Sequence, residues 1–102
     1  MLERLKEIAK KHEDLVVQQA DPEIAVDPNR SREVAQKLAE LAPVVAAYRD
    51  YSSTASELEG AREIVTESDD DEMRQMAEAE IDELTKRLED IEQRLKVLLL
   101  PR

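Results

Sequence analysis

The densest cluster of reactive side chains in this sequence is an acidic run without any apolar residue. It reads Thr66-Glu67-Ser68-Asp69-Asp70-Asp71-Glu72. Carboxylates at this density could bind calcium or a basic partner, but the run lacks the twelve-residue spacing and the glycine of an EF-hand loop. Acidic side chains also suit the first turn of a helix, because its amino end carries partial positive charge. Helix capping therefore explains most of the run, and docking to a basic partner is the functional hypothesis left open.

Three residues beside the acidic run, Gly60, Met73 and Met76, allow two interpretations each. A glycine inside a helix costs about 1 kcal/mol relative to alanine, so Gly60 either permits close approach of a neighbour or weakens the helix near its end. We favour fraying of the helix end. The flexible thioethers of Met73 and Met76 could face a partner, but filling of the core is the favoured interpretation.

The sequence lacks the residues that other catalytic sites and cofactor sites require. His12 is the only histidine and lies on the apolar side of a predicted helix, which disfavours a Ser-His-Asp triad. The absence of cysteine removes thiol nucleophiles and thiolate metal sites. No Glu-x-x-His motif is present for a di-metal bundle site, and a single glycine excludes phosphate-binding loops. We expect no catalytic residue, no cofactor, no metal ligand and no enzymatic activity in this chain.

Composition favours long amphipathic helices as the elements that carry the acidic run. Of 102 residues, 39% are charged and 41% apolar, and only Tyr48 and Tyr51 are aromatic. The net charge of −10 and the lack of a basic stripe disfavour binding to bare nucleic acid. No apolar run approaches the ~20 residues of a membrane span, and no signal-peptide core follows Met1. We therefore expect a cytoplasmic protein without membrane contact.

Apolar spacing predicts three helices, over about residues 1–20, 28–66 and 70–98, within a single helical domain over residues 1–102. We expect Asp21-Pro22 to open a loop that leads to Asp27-Pro28, and the second pair is typical of a helix cap and first turn. Pro43 predicts a kink in the second helix. In the third helix, steps of four and three give a heptad seam at Ala77, Ile81, Leu84, Leu88, Ile91, Leu95 and Leu98. Short connections favour antiparallel neighbours, so the predicted fold is all-α, an elongated antiparallel three-helix coiled-coil-like bundle.

Two further features of the third helix lead to expectations. Acidic residues precede basic ones by four positions on its outer face, which predicts four ion pairs: Asp82 with Lys86, Glu83 with Arg87, Asp90 with Arg94, and Glu92 with Lys96. Its end, Val97-Leu98-Leu99-Leu100, is apolar on every side and is followed by Pro101. Because an uncovered apolar end promotes aggregation, we expect a longer chain that continues after Arg102 into a further domain.

Two stretches resemble the amino-terminal domain of bacterial peptide chain release factors. They are Asp70-Asp71-Glu72-Met73-Arg74-Gln75-Met76-Ala77-Glu78-Ala79-Glu80-Ile81 and the closing Val97-Leu98-Leu99-Leu100-Pro101. The Glu-Met-Arg-x-Met-Ala pattern, followed by a heptad helix that ends in Leu-Leu-Leu-Pro, is similar to the class I type that reads UAA and UAG. The family commonly has proline where Asp71 stands here, as the first helical residue after a capping aspartate, which is Asp70 in this sequence. An aspartate in the first turn still complements the helix dipole.

The resemblance implies a protein that enters the ribosome at a stop codon and promotes hydrolysis of peptidyl-tRNA. The family's Gly-Gly-Gln and codon-reading loops are absent, and both would lie after Arg102. The resemblance assigns this portion a contact near the stalk base of the large ribosomal subunit and a role with the GTPase release factor, beside contacts with the remaining domains of its own chain. We place the ribosome contact at Ser68, Asp69, Asp70, Asp71 and Glu72.

Two other functions remain as alternatives. A coiled-coil arm that grips tRNA would need a basic stripe, which this chain lacks. A free-standing coiled-coil oligomerisation or adaptor module is compatible with the heptad helix, which could also cause self-association of the fragment.

Overall fold

Four helices form the structure, and no strand occurs within the residues that it describes, 1–101. In this computed structural model α1 spans Leu2–Ala20, α2 spans Pro22–Ala25, α3 spans Pro28–Glu67 and α4 spans Asp71–Leu98. About 90% of the chain is helical, which confirms the predicted all-α class. The coiled-coil character of the packing stays a prediction. No helix within residues 1–101 is both long enough and apolar enough to cross a membrane.

The short helix α2 corrects the expectation of three helices. The sequence interpretation treated Asp21-Pro22 as the start of a loop, whereas one carboxylate oxygen of Asp21 accepts a hydrogen bond from the Glu23 backbone N–H at 2.9 Å. Pro22 is the first residue of the helix. Its ring fixes φ at a helical value, and the N–H group that it lacks would have had no partner within the helix. The pair therefore has the same function as Asp27-Pro28, six residues further on.

Helix α3 begins as the sequence predicts and continues through its proline. Asp27 Oδ1 accepts hydrogen bonds from the backbone N–H groups of Asn29 at 3.1 Å and Arg30 at 3.3 Å. Pro43 lies inside the helix, which is assigned as one element to Glu67. The chain thus has no loop at Pro43, and the kink itself stays a prediction.

Residue contacts divide the chain into two compact units, and the boundary between Ala46 and Ala47 lies inside α3. The first unit contains α1, α2 and the beginning of α3. Its core cluster joins all three helices: Leu15 from α1, Ile24 from α2 and Val34 from α3, with Leu38 and Leu41 packed against it. The single domain over residues 1–102 stays a prediction.

The second unit is a helical hairpin of the later part of α3 and α4. Leu58 and Ala61 of α3 pack with Leu84 of α4, and Ile81 and Leu88 cover this cluster. Only three residues separate the two helices, so they run antiparallel. All seven residues of the predicted α4 seam are buried or half-buried, so one face of the helix supplies its part of the core.

The ion pairs on α4 differ from the prediction. None of the four predicted pairs is among the ion pairs of residues 1–101. Arg87 instead contacts Asp50 of α3, with Nη2 at 3.1 Å from Oδ1. A partner on the adjacent helix therefore replaces Glu83, the neighbour one turn away, because packing of α3 on α4 brings Asp50 within reach.

Candidate docking site at the α3–α4 turn

The chain reverses direction between α3 and α4 through a turn closed by side-chain hydrogen bonds. The Ser68 backbone N–H donates to the Ile64 carbonyl at 2.9 Å and so completes the last turn of α3. The Ser68 hydroxyl oxygen then accepts from the Asp70 backbone N–H at 3.1 Å. Ser68 thus fixes the path of the chain and is half-buried in doing so.

Asp70 caps the amino end of α4, as the resemblance led us to expect. Its Oδ1 accepts from the backbone N–H of Glu72 at 2.9 Å and, more weakly, from that of Met73 at 3.4 Å. Two of the four N–H groups that a helix leaves unpaired at its start are satisfied in this way. Asp71, the next residue, begins the helix and adds negative charge near its positive end.

Arg74 belongs to the turn, and the sequence analysis missed it. Its Nη1 donates to the Ser68 carbonyl at 2.7 Å, and its Nη2 forms an ion pair with the carboxylate of Asp71. The side chain therefore ties the first turn of α4 back to the end of α3. The three-residue spacing of Asp71 and Arg74 was a signal for their pair. Nothing in the sequence indicated the bond to Ser68, because it depends on the path of the turn.

The five residues placed at the ribosome contact all lie in this turn, but they divide into two groups. Ser68, Asp70 and Asp71 make the internal contacts described above. Asp69 and Glu72 are exposed, and their carboxylates have no cation within 4.0 Å among residues 1–101. The negative charge available to a partner therefore comes chiefly from these two. The described residues contain no group of three or more His, Cys, Asp or Glu placed to hold a metal ion.

A groove of about 280 Å³ lies directly beside the turn. Its lining combines apolar and polar residues of both helices: Gly60, Glu63, Ile64, Glu67, Ser68 and Met73. Met73 is 48% exposed and Met76 is 73% exposed, so the expectation that they fill the core is wrong. The flanking core positions are occupied by Ala77 and Ile81, which leaves the two thioethers on the outside.

Comparison with known proteins supplies the family. The PCRF domain model matches residues 8–102, which is nearly the whole sequence. The chain belongs to the PCRF domain family. This membership confirms the resemblance that the residues around Met73 and the Leu-Leu-Leu-Pro ending had indicated.

Relatives of this PCRF domain are named peptide chain release factor 1. The chain is 40% identical over 102 residues to the protein of Halalkalibacterium halodurans, 37% to that of Brevibacillus brevis and 39% to that of Clostridium botulinum. Each match covers 100% of this chain but only 28% to 29% of the relative. The chain thus spans less than a third of the length of these relatives. No solved structure matches it significantly.

Proposed function

We propose that this chain acts in translation termination as the amino-terminal accessory part of a class I release factor that reads UAA and UAG. The observation that carries the proposal is the match of the PCRF domain over residues 8–102, together with relatives named peptide chain release factor 1. Reading of the stop codon and hydrolysis of peptidyl-tRNA then belong to other parts of the protein. The contribution of this chain is contact with the ribosome in the cytoplasm.

The contact surface in this proposal is the turn from Ser68 to Glu72. An acidic surface repels the phosphates of ribosomal RNA and attracts a basic protein, so the proposed partner is a ribosomal protein. The resemblance to class I release factors implies that this protein belongs to the stalk base of the large subunit. The exposed carboxylates of Asp69 and Glu72 support this placement, because no cation within residues 1–101 neutralises them. A role together with the GTPase release factor belongs to the same proposal, without an assigned contact surface.

The coding sequence beyond codon 102 gives a first test of the proposed function. We expect an in-frame Gly-Gly-Gln motif preceded by a codon-reading domain. A reading frame that stops at Arg102 would instead support a free-standing coiled-coil adaptor.

Charge reversal tests the contact surface. In the full-length protein, Asp69→Lys with Glu72→Lys should weaken binding to ribosomes that carry a stop codon in the A site, because two attractive charges become repulsive. Asp70 and Asp71 are left in place, since they hold the turn. The matched control is Glu13→Lys with Asp14→Lys, which makes the same change in charge at exposed positions of α1. Equal affinity of both variants would contradict the placement.

Self-association is a second candidate function, and exposed apolar side chains at the end of α4 favour it. Val97 is 66% exposed and Leu100 is 63% exposed. Light scattering of the 102-residue chain over a dilution series would show a molar mass that rises with concentration. A constant monomer mass would exclude oligomerisation through this end.

A further inference from the structure

Gly60 occupies a helical position that nothing in the described residues requires to be glycine. A Cβ atom added there would meet no atom within 4 Å, so close packing does not explain the residue. No glycine within residues 1–101 has a positive φ, so backbone geometry does not explain it either. In a helix interior, glycine is less stable than alanine. Gly60 lines the groove beside the α3–α4 turn, and the groove stays open because glycine has no side chain.

The groove is open to solvent and smaller than an ordinary ligand pocket. Its volume of about 280 Å³ lies just below the ~300–1,000 Å³ of small-molecule pockets. The apolar part of its lining comes from Gly60, Ile64 and Met73, and the flexible Met73 thioether can adapt to different shapes. An apolar side chain of a partner would find there both room and an adaptable contact.

Unpaired carboxylates border the groove. Glu63 and Glu67 both line it, both are exposed, and neither has a cation within 4.0 Å among residues 1–101. Asp69 and Glu72 extend the negative surface past the turn. A partner that fits this combination carries lysine or arginine beside an apolar residue. Nucleic acid does not fit, because its phosphates would face the same carboxylates.

We propose that this groove binds one apolar side chain of a basic segment in a ribosomal protein, while lysine or arginine residues beside it pair with Glu63 and Glu67. The inference rests on the proposed ribosome contact and names the chemistry of the partner. The apolar side chain gives the contact its specificity, and the charges orient the approach. In this proposal Gly60 determines which partner side chain fits. The free energy gained on binding offsets the helix stability that glycine loses relative to alanine.

Filling the groove tests the apolar part of the proposal. In the full-length protein, Gly60→Leu should weaken binding to ribosomes with UAA in the A site about tenfold, which corresponds to roughly 1.4 kcal/mol. Gly60→Ala, which adds one methyl group, should keep most of the affinity. Both variants should unfold at higher temperature than the parent, because leucine and alanine favour helix over glycine. A loss of affinity therefore would not reflect misfolding.

The matched control for added leucine is Ser56→Leu. Ser56 is exposed, lies one turn before Gly60 on the same helix and does not line the groove. This variant should bind like the parent. Parental or tighter binding of Gly60→Leu, or equal losses in Gly60→Leu and Ser56→Leu, would overturn the proposal.

Neutralising the rim tests the charge of the partner. Glu63→Gln with Glu67→Gln should weaken ribosome binding and reduce its dependence on salt. Tighter binding would contradict the proposal of a basic protein partner and would indicate RNA instead. If Asp69→Lys with Glu72→Lys weakens binding while Gly60→Leu does not, the ribosome contact stands and the groove proposal fails. If none of these variants changes affinity, both proposals fail.

Discussion

At the scale of single residues, one carboxylate oxygen decides where α4 begins. Asp70 Oδ1 holds two backbone N–H groups, and the Arg74 backbone N–H donates to the Asp70 carbonyl at 3.0 Å. The caps at Asp27 and Asp70 could be predicted from sequence because a cap depends on residues within one turn. The bond from Arg74 to Ser68 could not, since six positions separate them and the turn determines their distance.

Removal of the cap should lower the free energy of unfolding. We expect Asp70→Ala to reduce it by about 1 kcal/mol, because two N–H groups at the start of α4 lose their acceptor. Urea unfolding of the 102-residue chain, followed by circular dichroism, measures the change. Asp69→Ala is the matched control, since the Asp69 side chain caps nothing and should alter stability by less than about 0.5 kcal/mol. Equal effects of the two substitutions would contradict the assigned cap.

At the scale of elements, α3 is a 40-residue helix that contains a proline. Pro43 cannot donate a backbone hydrogen bond, and its ring crowds the preceding turn. The helix continues because its apolar residues pack on both sides of the proline: Val34 before it and Leu58 after it lie in the two core clusters. Tertiary packing thus outweighs the local preference of proline, in agreement with the sequence-based prediction of one helix through Pro43.

Replacement of the proline should stabilise α3. Pro43 is exposed, so Pro43→Ala removes no buried contact. The free energy of unfolding should rise by up to about 3 kcal/mol, the cost of proline in a helix interior. Urea unfolding compares this variant with Ala42→Ser, an exposed neighbour whose substitution should change little. A lower stability of Pro43→Ala would show that the helix depends on the proline.

The ion pair between Asp50 and Arg87 shows where helix-surface patterns fail. Four positions separate Glu83 from Arg87, and the local rule predicted that pair. Asp50 is 37 positions away, so only the packed hairpin could reveal it. Sequence periodicity predicted which face of α4 is buried, because burial follows the helical repeat. Sequence periodicity could not predict whether Arg87 pairs with Glu83 or with Asp50.

A double-mutant cycle measures this choice of partner. The coupling free energy of Asp50→Ala with Arg87→Ala should be roughly 0.2 to 1 kcal/mol, since both side chains are about half exposed and water screens the pair. The control cycle, Glu83→Ala with Arg87→Ala, should give a coupling near zero. A larger coupling in the control would mean that the local pair prevails in solution.

At the scale of the whole molecule, composition and motif were enough for fold class and family, whereas the site needed coordinates. The all-α class followed from apolar spacing, and the PCRF family from the stretch around Met73 and Met76. The bond from Arg74 to Ser68, which closes the turn, and the exposure of Asp69 and Glu72 depend on the path of the chain between α3 and α4. The groove at Gly60 exists because no side chain fills that part of the surface. The local sequence pattern does not predict this.

Peptide release is the measurement that tests the central claim most directly. The full-length protein is mixed with ribosomes that hold peptidyl-tRNA in the P site and UAA, UAG or UGA in the A site. The account predicts release of the peptide at UAA and UAG and no release at UGA, as for a class I factor of this type. Absence of release at all three codons would contradict a role in termination, and equal release at UGA would contradict the assigned type.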